Sequence, residues 1–182
     1  MIDIIKKCKK CNLHKGRTNA VAGDWNPRAK IMFIGIAPGR LGGDKTGIPF
    51  TKDKSGRFFR ELLNKNNISQ DIINVTNLVR CNPRDSDGKN RDPSHDEIKK
   101  CSRYLEKEIK FVKPKVIVPF GKLVTEYLLK IRIKNFKDFH KKIIKNKNSI
   151  IFPMYHPSYI VNYNGYDRKS YEKDFKTLVR LF

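Results

Sequence analysis

The chain has 182 residues, 38% of them apolar, which fits one domain with a hydrophobic core and excludes a disordered chain. It contains no run of about 18 apolar residues and begins with no long apolar stretch. We therefore expect a cytoplasmic protein with no membrane span and no signal peptide.

Lys and Arg number 40 against 18 Asp and Glu, giving a formal net charge of +22. This excess favours a polyanionic partner, above all nucleic acid, because neutralised phosphates release counterions. The alternative is a solvated, lysine-rich surface.

Strand-like and helix-like segments alternate along the chain. Apolar, β-branched runs predict strands over residues 30–36, 71–79, 115–121 and 149–155. Helices are predicted over 2–8, 55–65 with Ser55 as N-cap, 94–111 with a Ser94–Glu97 capping box, 122–130 and 168–181. The basic segment 130–148 is predicted to be irregular with some helix. The alternation indicates a three-layer α/β/α sandwich around a central, mainly parallel four-stranded sheet, forming one domain over residues 1–182.

The four cysteines of the chain are candidate metal ligands. Cys8 and Cys11 form a CxxC pair, whereas Cys81 and Cys101 are widely spaced. Zinc ribbons usually have two short pairs, so this spacing is more compatible with an iron–sulfur cluster whose thiolates come from scattered segments. The alternative is that some of these residues are simply buried thiols.

Three loops follow predicted strands and have unusual compositions: residues 35–50, 77–93 and 155–163. In a mainly parallel sheet the carboxyl ends of the strands lie at one edge, where ligands bind. The first loop fits neither a Walker loop nor a dinucleotide fingerprint. It ends in Phe50 after a proline, and this ring is either a stacking wall for a flat ligand or a core residue.

The second and third loops begin with polar side chains. Asn77 has the donors and acceptor needed to read a nucleobase edge, although Asn in this position also serves turns and caps. His156 precedes Pro157, which restricts the backbone beside it. A histidine held there is either an oxyanion donor or a structural residue. The convergence of three such loops on one edge predicts a binding site.

The motifs resemble those of the uracil-DNA glycosylase superfamily, in particular its iron–sulfur families four and five, over nearly the whole chain. The stretch CKKCNLHKGRTNAVAGDWNPRAKIMFIGIAPG is similar to the amino-terminal block of family four. The stretch GGDKTGIPFTKDKSGRFF is similar to family five, and VTNLVRCNP and YHPSY are similar to both. Family four has a glutamate in its first motif where this chain has Ile36, so the resemblance points to family five.

The resemblance implies a DNA repair enzyme that flips out uracil and hydrolyses its N-glycosidic bond. The deaminated purines hypoxanthine and xanthine are further candidate substrates. It implies a 4Fe–4S cluster on Cys8, Cys11, Cys81 and Cys101. Phe50 would stack on the base, Asn77 would bind its edge, His156 would stabilise the leaving anion and Asp53 would activate water. The pocket would be shaped by Ile36, Ala37, Pro38 and Gly39.

Contacts to DNA are implied for a second set of residues. Phosphates would be bound by Arg40, Lys45, Lys54 and Arg57. Ser158, Tyr159 and Ile160 follow the histidine, and the last two would wedge into the gap left by the flipped nucleotide. We expect a monofunctional, monomeric enzyme. Two other interpretations are a non-catalytic, zinc- or cluster-bearing nucleic-acid-binding protein, and a relative that stays covalently attached to its product. The latter has a histidine in a basic insert after the first motif, and APGRLGGDKTG contains none.

Overall fold

The computed structural model describes residues 1–146 and 148–181, so Lys147 of the basic segment and Phe182 lie outside the described residues. Within the described residues, no helix has the length and apolar character needed to cross a membrane. In chain order, the elements are α1 (Ile2–Lys6), α2 (Leu13–Gly16), β1 (Ile31–Gly35), α3 (Gly43–Thr46), α4 (Lys54–Lys65), β2 (Ile73–Asn77), α5 (His95–Val112), β3 (Val116–Pro119), α6 (Lys122–Leu129), β4 (Ile144–Asn146), β5 (Ser149–Ile151), α7 (Pro157–Val161) and α8 (Arg168–Val179). Short 3₁₀ turns cover Gln70–Ile72 and Phe136–Asp138.

The strands form one sheet in the order β2-β1-β3-β5-β4. The first four of these run parallel, and β4 pairs antiparallel with β5. The predicted α/β class with a mainly parallel sheet is confirmed, but the predicted number of four strands is wrong. The additional strand is β4, which lies in the basic segment that we expected to be irregular. The lysine-rich sequence around β4 hides the strand pattern, and lysine is common on edge strands because it discourages pairing with other chains.

Both faces of the sheet are buried. Along β1 the side chains alternate, so that Ile31 and Phe33 face one apolar cluster and Met32 and Ile34 face another. The first cluster includes residues of α4 and α8, and the second includes residues of α1, α5 and α6. The two helix layers explain why the strands read as continuous apolar runs, as expected for a parallel sheet.

The strand ends bring the polar loops together. Gly35 at the end of β1 is in register with Asn77 at the end of β2. Regular pairing of β5 ends at Ile151, two residues before Pro153, which has no N–H to donate. Pairing resumes where Met154 bridges Phe120, with its N–H 3.0 Å from the Pro119 carbonyl. This second contact brings the chain to His156 at the same edge of the sheet.

Two helix starts show how local chemistry fixes the chain. The predicted capping box of α5 is present: Ser94 Oγ accepts the Glu97 N–H, and Glu97 Oε2 accepts the Ser94 N–H at 2.7 Å. The N-cap of α4 is Asp53 rather than the predicted Ser55. Asp53 Oδ1 accepts the Gly56 N–H at 2.7 Å and the Ser55 hydroxyl at 2.9 Å. The carboxylate therefore satisfies the helix terminus, and Ser55 lies inside the helix.

A buried ion pair joins α5 to β2. Arg80 and Glu108 are almost completely buried and lie 2.7 Å apart. Glu108 also accepts hydrogen bonds from Asn74 at 2.8 Å and Thr76 at 2.7 Å. These partners offset the cost of removing the two charges from water. The network fixes α5 against the strand that ends at Asn77.

Candidate active site and cysteine cavity

A cleft of about 940 Å³ opens at the carboxyl ends of the strands. All three loops singled out in the sequence contribute to its walls. Of the residues predicted for catalysis, substrate and DNA, those that line it are Ile36, Ala37, Pro38, Gly39, Arg40, Lys45, Phe50, Asp53, Lys54, Arg57, Asn77, His156 and Ser158. The structure thus brings together side chains that are more than a hundred residues apart in the sequence.

Phe50 forms an aromatic wall beside His156. The ring centroids of these two residues are 5.6 Å apart, and Phe120 lies behind Phe50 at 5.4 Å. Phe50 has a positive φ of 49°, which is uncommon for an aromatic residue. The Arg60 guanidinium donates to the carbonyls of Pro49 at 3.0 Å and Phe50 at 3.3 Å, which stabilises this backbone conformation.

Asn77 presents its amide to the cleft from the end of β2. The residue is 2% exposed, and within the described parts of the chain no protein group is hydrogen-bonded to its side-chain amide. Among the described residues its amide is not one of the fully buried polar atoms that lack a partner, so it keeps access to the cleft, where water or a ligand can bind it. A Cβ at Gly35 would lie 2.4 Å from Asn77 Oδ1 and 2.9 Å from the Phe50 ring, so only glycine allows both groups to approach.

His156 is the N-cap of α7, with Pro157 in the first helical position. Its Nδ1 accepts the Ser158 N–H at 3.1 Å and lies 2.7 Å from the Ser158 hydroxyl. With Nδ1 acting as an acceptor, the neutral ring carries its proton on Nε2. Desolvation by the surrounding protein lowers the pKa of His156 to about 4, while the negative charge of Asp53 opposes this shift. A neutral imidazole that can donate from Nε2 is therefore present at pH 7.

Asp53 uses only one of its carboxylate oxygens as the cap of α4. While Oδ1 accepts both cap hydrogen bonds, Oδ2 is turned toward the first loop, where a Cβ at Gly42 would lie 2.3 Å from it. Asp53 also lines the cleft. Its position leaves one carboxylate oxygen for a role beyond capping.

The second loop forms a wall of the cleft that the sequence analysis did not assign. Asn82 Nδ2 donates to the Pro38 carbonyl at 2.7 Å and to Asn90 Oδ1 at 2.8 Å. Asn90 Oδ1 also accepts the Arg40 N–H at 3.1 Å. The sequence offered one signal for these residues: the loop is polar and follows β2, at the same edge of the sheet as the first loop. Further lining residues missed from the sequence are Leu41, Gly43, Lys52, Ser55, Pro83, Lys89, Arg91, Asp92 and Asn162.

Cations dominate the charged groups around the cleft. The basic residues that line it are Arg40, Lys45, Lys52, Lys54, Arg57, Lys89 and Arg91, and the acidic ones are Asp53 and Asp92. Tyr159 is 40% exposed and stacks near Tyr155, with ring centroids 5.1 Å apart. Ile160 is only 3% exposed and belongs to the core. Its predicted insertion into DNA is therefore wrong, because helix α7 turns this side chain inward.

The four cysteines line one cavity, together with Arg17, Arg80, Lys100, His14, Ile5 and Tyr104. Three of the sulfur atoms accept hydrogen bonds: Cys8 from the Tyr104 hydroxyl at 3.3 Å, Cys81 from Arg17 at 3.1 Å and Cys101 from the Arg80 N–H at 3.2 Å. Among the described residues no three His, Cys, Asp or Glu side chains are grouped to hold a single metal ion. The donors thus surround a common space without converging on one point.

Burial controls the protonation of two of these thiols. It raises the pKa of Cys101 to about 12 and also raises that of Cys81, where Arg17 opposes the shift. Both side chains are therefore neutral thiols at pH 7 when no cationic group is bound. A cavity lined by four cysteines and several cationic side chains suits a metal group that carries net negative charge once the thiolates bind it.

Comparisons with known proteins agree with the resemblance drawn from the sequence motifs. The Uracil DNA glycosylase superfamily matches residues 22–179. The chain is 39% identical to the Type-4 uracil-DNA glycosylase of Sulfurisphaera tokodaii and 38% identical to that of Saccharolobus solfataricus. Each alignment covers 96% of this chain; it covers 80% of the Sulfurisphaera tokodaii protein and 81% of the Saccharolobus solfataricus protein. The Type-5 uracil-DNA glycosylase of Pyrobaculum aerophilum is 32% identical, over 79% of this chain and 66% of the relative.

The fold and the cleft define an α/β protein whose ligand site is assembled from loops at the ends of parallel strands. This chain belongs to the uracil-DNA glycosylase superfamily. The superfamily assignment drawn from the sequence motifs is thereby confirmed.

The protonation state of His156 can be measured directly. Because its pKa in the folded protein is about 4, below the ordinary value of 6.5, we expect the imidazole resonances to titrate near pH 4 with the Nε2–H tautomer at pH 7. The stability that the neutral ring contributes is complete above pH 6.5 and is lost as the pH falls toward 4. NMR of ¹⁵N-histidine-labelled protein measures this, with His156→Ala assigning the signal. A midpoint near 6.5 would contradict the expected desolvation.

Proposed function

We propose that the protein removes uracil from DNA by hydrolysing its N-glycosidic bond, which leaves an abasic site. The observation that supports this most directly is the meeting of Phe50, Asn77 and His156 around one cleft, in a chain with a net charge of +22. The names of the relatives point the same way. Enzymes that act on a base must extrude it from the duplex, and this cleft offers an extruded nucleotide a ring, an amide and a donor.

Base recognition is assigned to Phe50 and Asn77. The Phe50 ring would stack on the face of the base, and the Asn77 amide would donate to and accept from its edge. The Asn77 amide lines the cleft and has no protein partner among the described residues, so its donors and acceptor are available to a base. Hypoxanthine and xanthine are proposed as further substrates.

Bond cleavage is assigned to His156 and a water molecule. The electron pair of the bond between the sugar C1′ and the base nitrogen would leave with the base, and water would add its hydroxyl to C1′ and release a proton. His156 Nε2–H would donate a hydrogen bond to the oxygen of the base, where negative charge develops. Loss of one such donor typically costs about 10²- to 10³-fold in rate.

Asp53 is assigned to the attacking water. Ile36 occupies the place of the family-four glutamate and has no group that can polarise water. Asp53 Oδ2 remains available after Oδ1 caps α4, and Asp53 lies close enough to His156 to affect its pKa. The family-five assignment rests on Ile36 and on the stretch GGDKTGIPFTKDKSGRFF, whereas the relatives with the higher identities are named Type-4.

DNA would bind across the basic rim of the cleft. Arg40, Lys45, Lys54 and Arg57 would contact phosphates, and Lys52 and Lys89 extend the same rim. Because Ile160 lies in the core, the side chain that inserts between bases would be Tyr159 or Leu41. Leu41 lines the cleft and is 59% exposed.

Cys8, Cys11, Cys81 and Cys101 would hold a 4Fe–4S cluster. Their arrangement around one cavity, the hydrogen bonds to three sulfurs and the cationic lining support this proposal. When bound, the cluster would link the amino-terminal segment to the start of the second loop and to α5, and the proposed cleavage uses none of its redox chemistry.

The substrate can be tested with oligonucleotides that contain uracil, hypoxanthine or xanthine. We expect release of free uracil, and strand scission only after alkali treatment, as for a monofunctional enzyme. His156→Ala should cleave about 10²- to 10³-fold more slowly while it still binds DNA, and the exposed His95→Ala serves as control. DNA binding without base release would indicate a non-catalytic protein, and a shifted protein band on a denaturing gel would indicate covalent attachment.

The two roles of Asp53 can be separated by substitution. Asp53→Asn keeps an acceptor for the Gly56 N–H but removes the charge, so we expect cleavage to fall about 10²- to 10⁴-fold at an unchanged melting temperature. Asp53→Ala should also lose about 1 kcal/mol of stability, because the cap is removed. Single-turnover cleavage and thermal melts measure the two effects. Wild-type cleavage by Asp53→Asn would show that Asp53 is only a cap.

The metal group can be identified in purified protein. We expect a brown protein with broad visible absorbance and equal amounts of iron and acid-labile sulfide. Cys101→Ser should lose this colour, whereas His14→Ala, which changes a side chain of the same cavity, should keep it. A colourless wild-type protein that contains one zinc ion would contradict the cluster.

A further inference from the structure

A buried histidine outside the cleft is paired with an aspartate on the last helix. The side chains of His140 and Asp174 are each 4% exposed, and His140 Nε2 lies 2.9 Å from Asp174 Oδ2. The other oxygen of Asp174 lies 3.2 Å from Lys141 Nζ. His140 follows the 3₁₀ turn Phe136–Asp138, and Asp174 lies in α8. Neither residue lines the cleft.

The second nitrogen of His140 reaches the strand end that carries His156. Its Nδ1 accepts the backbone N–H of Tyr155 at 3.3 Å. With Nδ1 as an acceptor, the neutral ring carries its proton on Nε2, and this N–H donates a hydrogen bond to Asp174. Asp174 therefore fixes both the tautomer and the orientation of the ring, as a carboxylate does for a paired histidine.

The backbone before His156 is held at three points. The Tyr171 hydroxyl donates to the Tyr155 carbonyl at 2.6 Å, so both backbone polar groups of Tyr155 have partners outside the sheet. The Lys141 N–H donates to the Pro153 carbonyl at 2.8 Å. The rings add packing, since His140 lies 4.2 Å from Tyr155 and 5.0 Å from Tyr166 between centroids. These contacts connect two parts of the chain, the segment after α6 and helix α8, to the backbone next to His156.

We propose that His140, oriented by Asp174, is a positioning residue that holds the Tyr155 backbone and thereby places the His156 imidazole in the cleft. This inference rests on the proposed role of His156. Loss of the bond to Tyr155 would let the strand end shift, and a displacement of about 1 Å in a reacting group can reduce a rate about 10²-fold. The cations of the DNA-binding rim would be unaffected, because they lie on the first two loops and in the segment that runs from Lys52 into α4.

Single-turnover cleavage of uracil-containing DNA tests this with a pair of variants. His140→Phe keeps a ring but has no acceptor, and we expect its cleavage rate to fall about 10- to 100-fold with unchanged affinity for DNA. His140→Asn places an amide oxygen near the position of Nδ1 and should recover most of the loss. His95→Phe, at an exposed histidine, is the control.

Several outcomes would overturn the proposal. A wild-type rate for His140→Phe would do so, and so would an equal loss in His140→Phe and His140→Asn, because the acceptor would then not matter. If His140→Phe does not fold, Tyr171→Phe removes only the hydroxyl that binds the Tyr155 carbonyl, and a wild-type rate for that variant would likewise overturn it. His156→Ala is measured in parallel. Wild-type cleavage by His156→Ala would refute the proposed role of His156 itself, whereas a defect confined to His156→Ala would refute only the positioning role.

Discussion

The cleft depends on the absence of a side chain at Gly35. This residue ends β1 in register with Asn77 on β2, and the Phe50 ring crosses it from the other side. A Cβ at this point would lie 2.4 Å from the Asn77 amide oxygen and 2.9 Å from the ring. Such distances are far inside van der Waals contact, so any larger residue would push apart the two groups assigned to the base. Strand register and a glycine together set the width of the site.

The same strand joins the cleft to the cysteine cavity. Asn74 and Thr76 of β2 donate to Glu108, which pairs with Arg80 three residues beyond Asn77. Arg80 in turn precedes Cys81, and its N–H donates to Cys101. Breaking a buried pair of this kind costs about 3–5 kcal/mol, since one charge is left without a partner. The network thus connects the cysteine region to the Asn77 strand end through buried side chains.

Much of this arrangement could be read from the sequence because it follows from strong local patterns. Apolar runs located the parallel strands, and the edge at which such strands end predicted that Phe50, Asn77 and His156 would meet. Strand β4 was missed because it is only three residues long and lies in a lysine-rich segment, so no apolar alternation marks it. Ile160 was misplaced because loop position alone does not show which way a short helix turns a side chain. Contacts such as Asn82 with Pro38, or His140 with Tyr155, join distant segments through single hydrogen bonds, and no local pattern records them.

Asp53 and His156 show why the choice between a structural and a catalytic reading was hard to make from sequence. Each is the N-cap of a helix, Asp53 through Oδ1 and His156 through Nδ1. Each side chain has a second polar atom on the far side of the same planar group. A cap hydrogen bond stabilises the helix by about 1 kcal/mol and also fixes the plane in which the second atom lies. Capping is therefore compatible with the proposed catalytic roles, because the helix terminus supplies the orientation that a group acting on substrate requires.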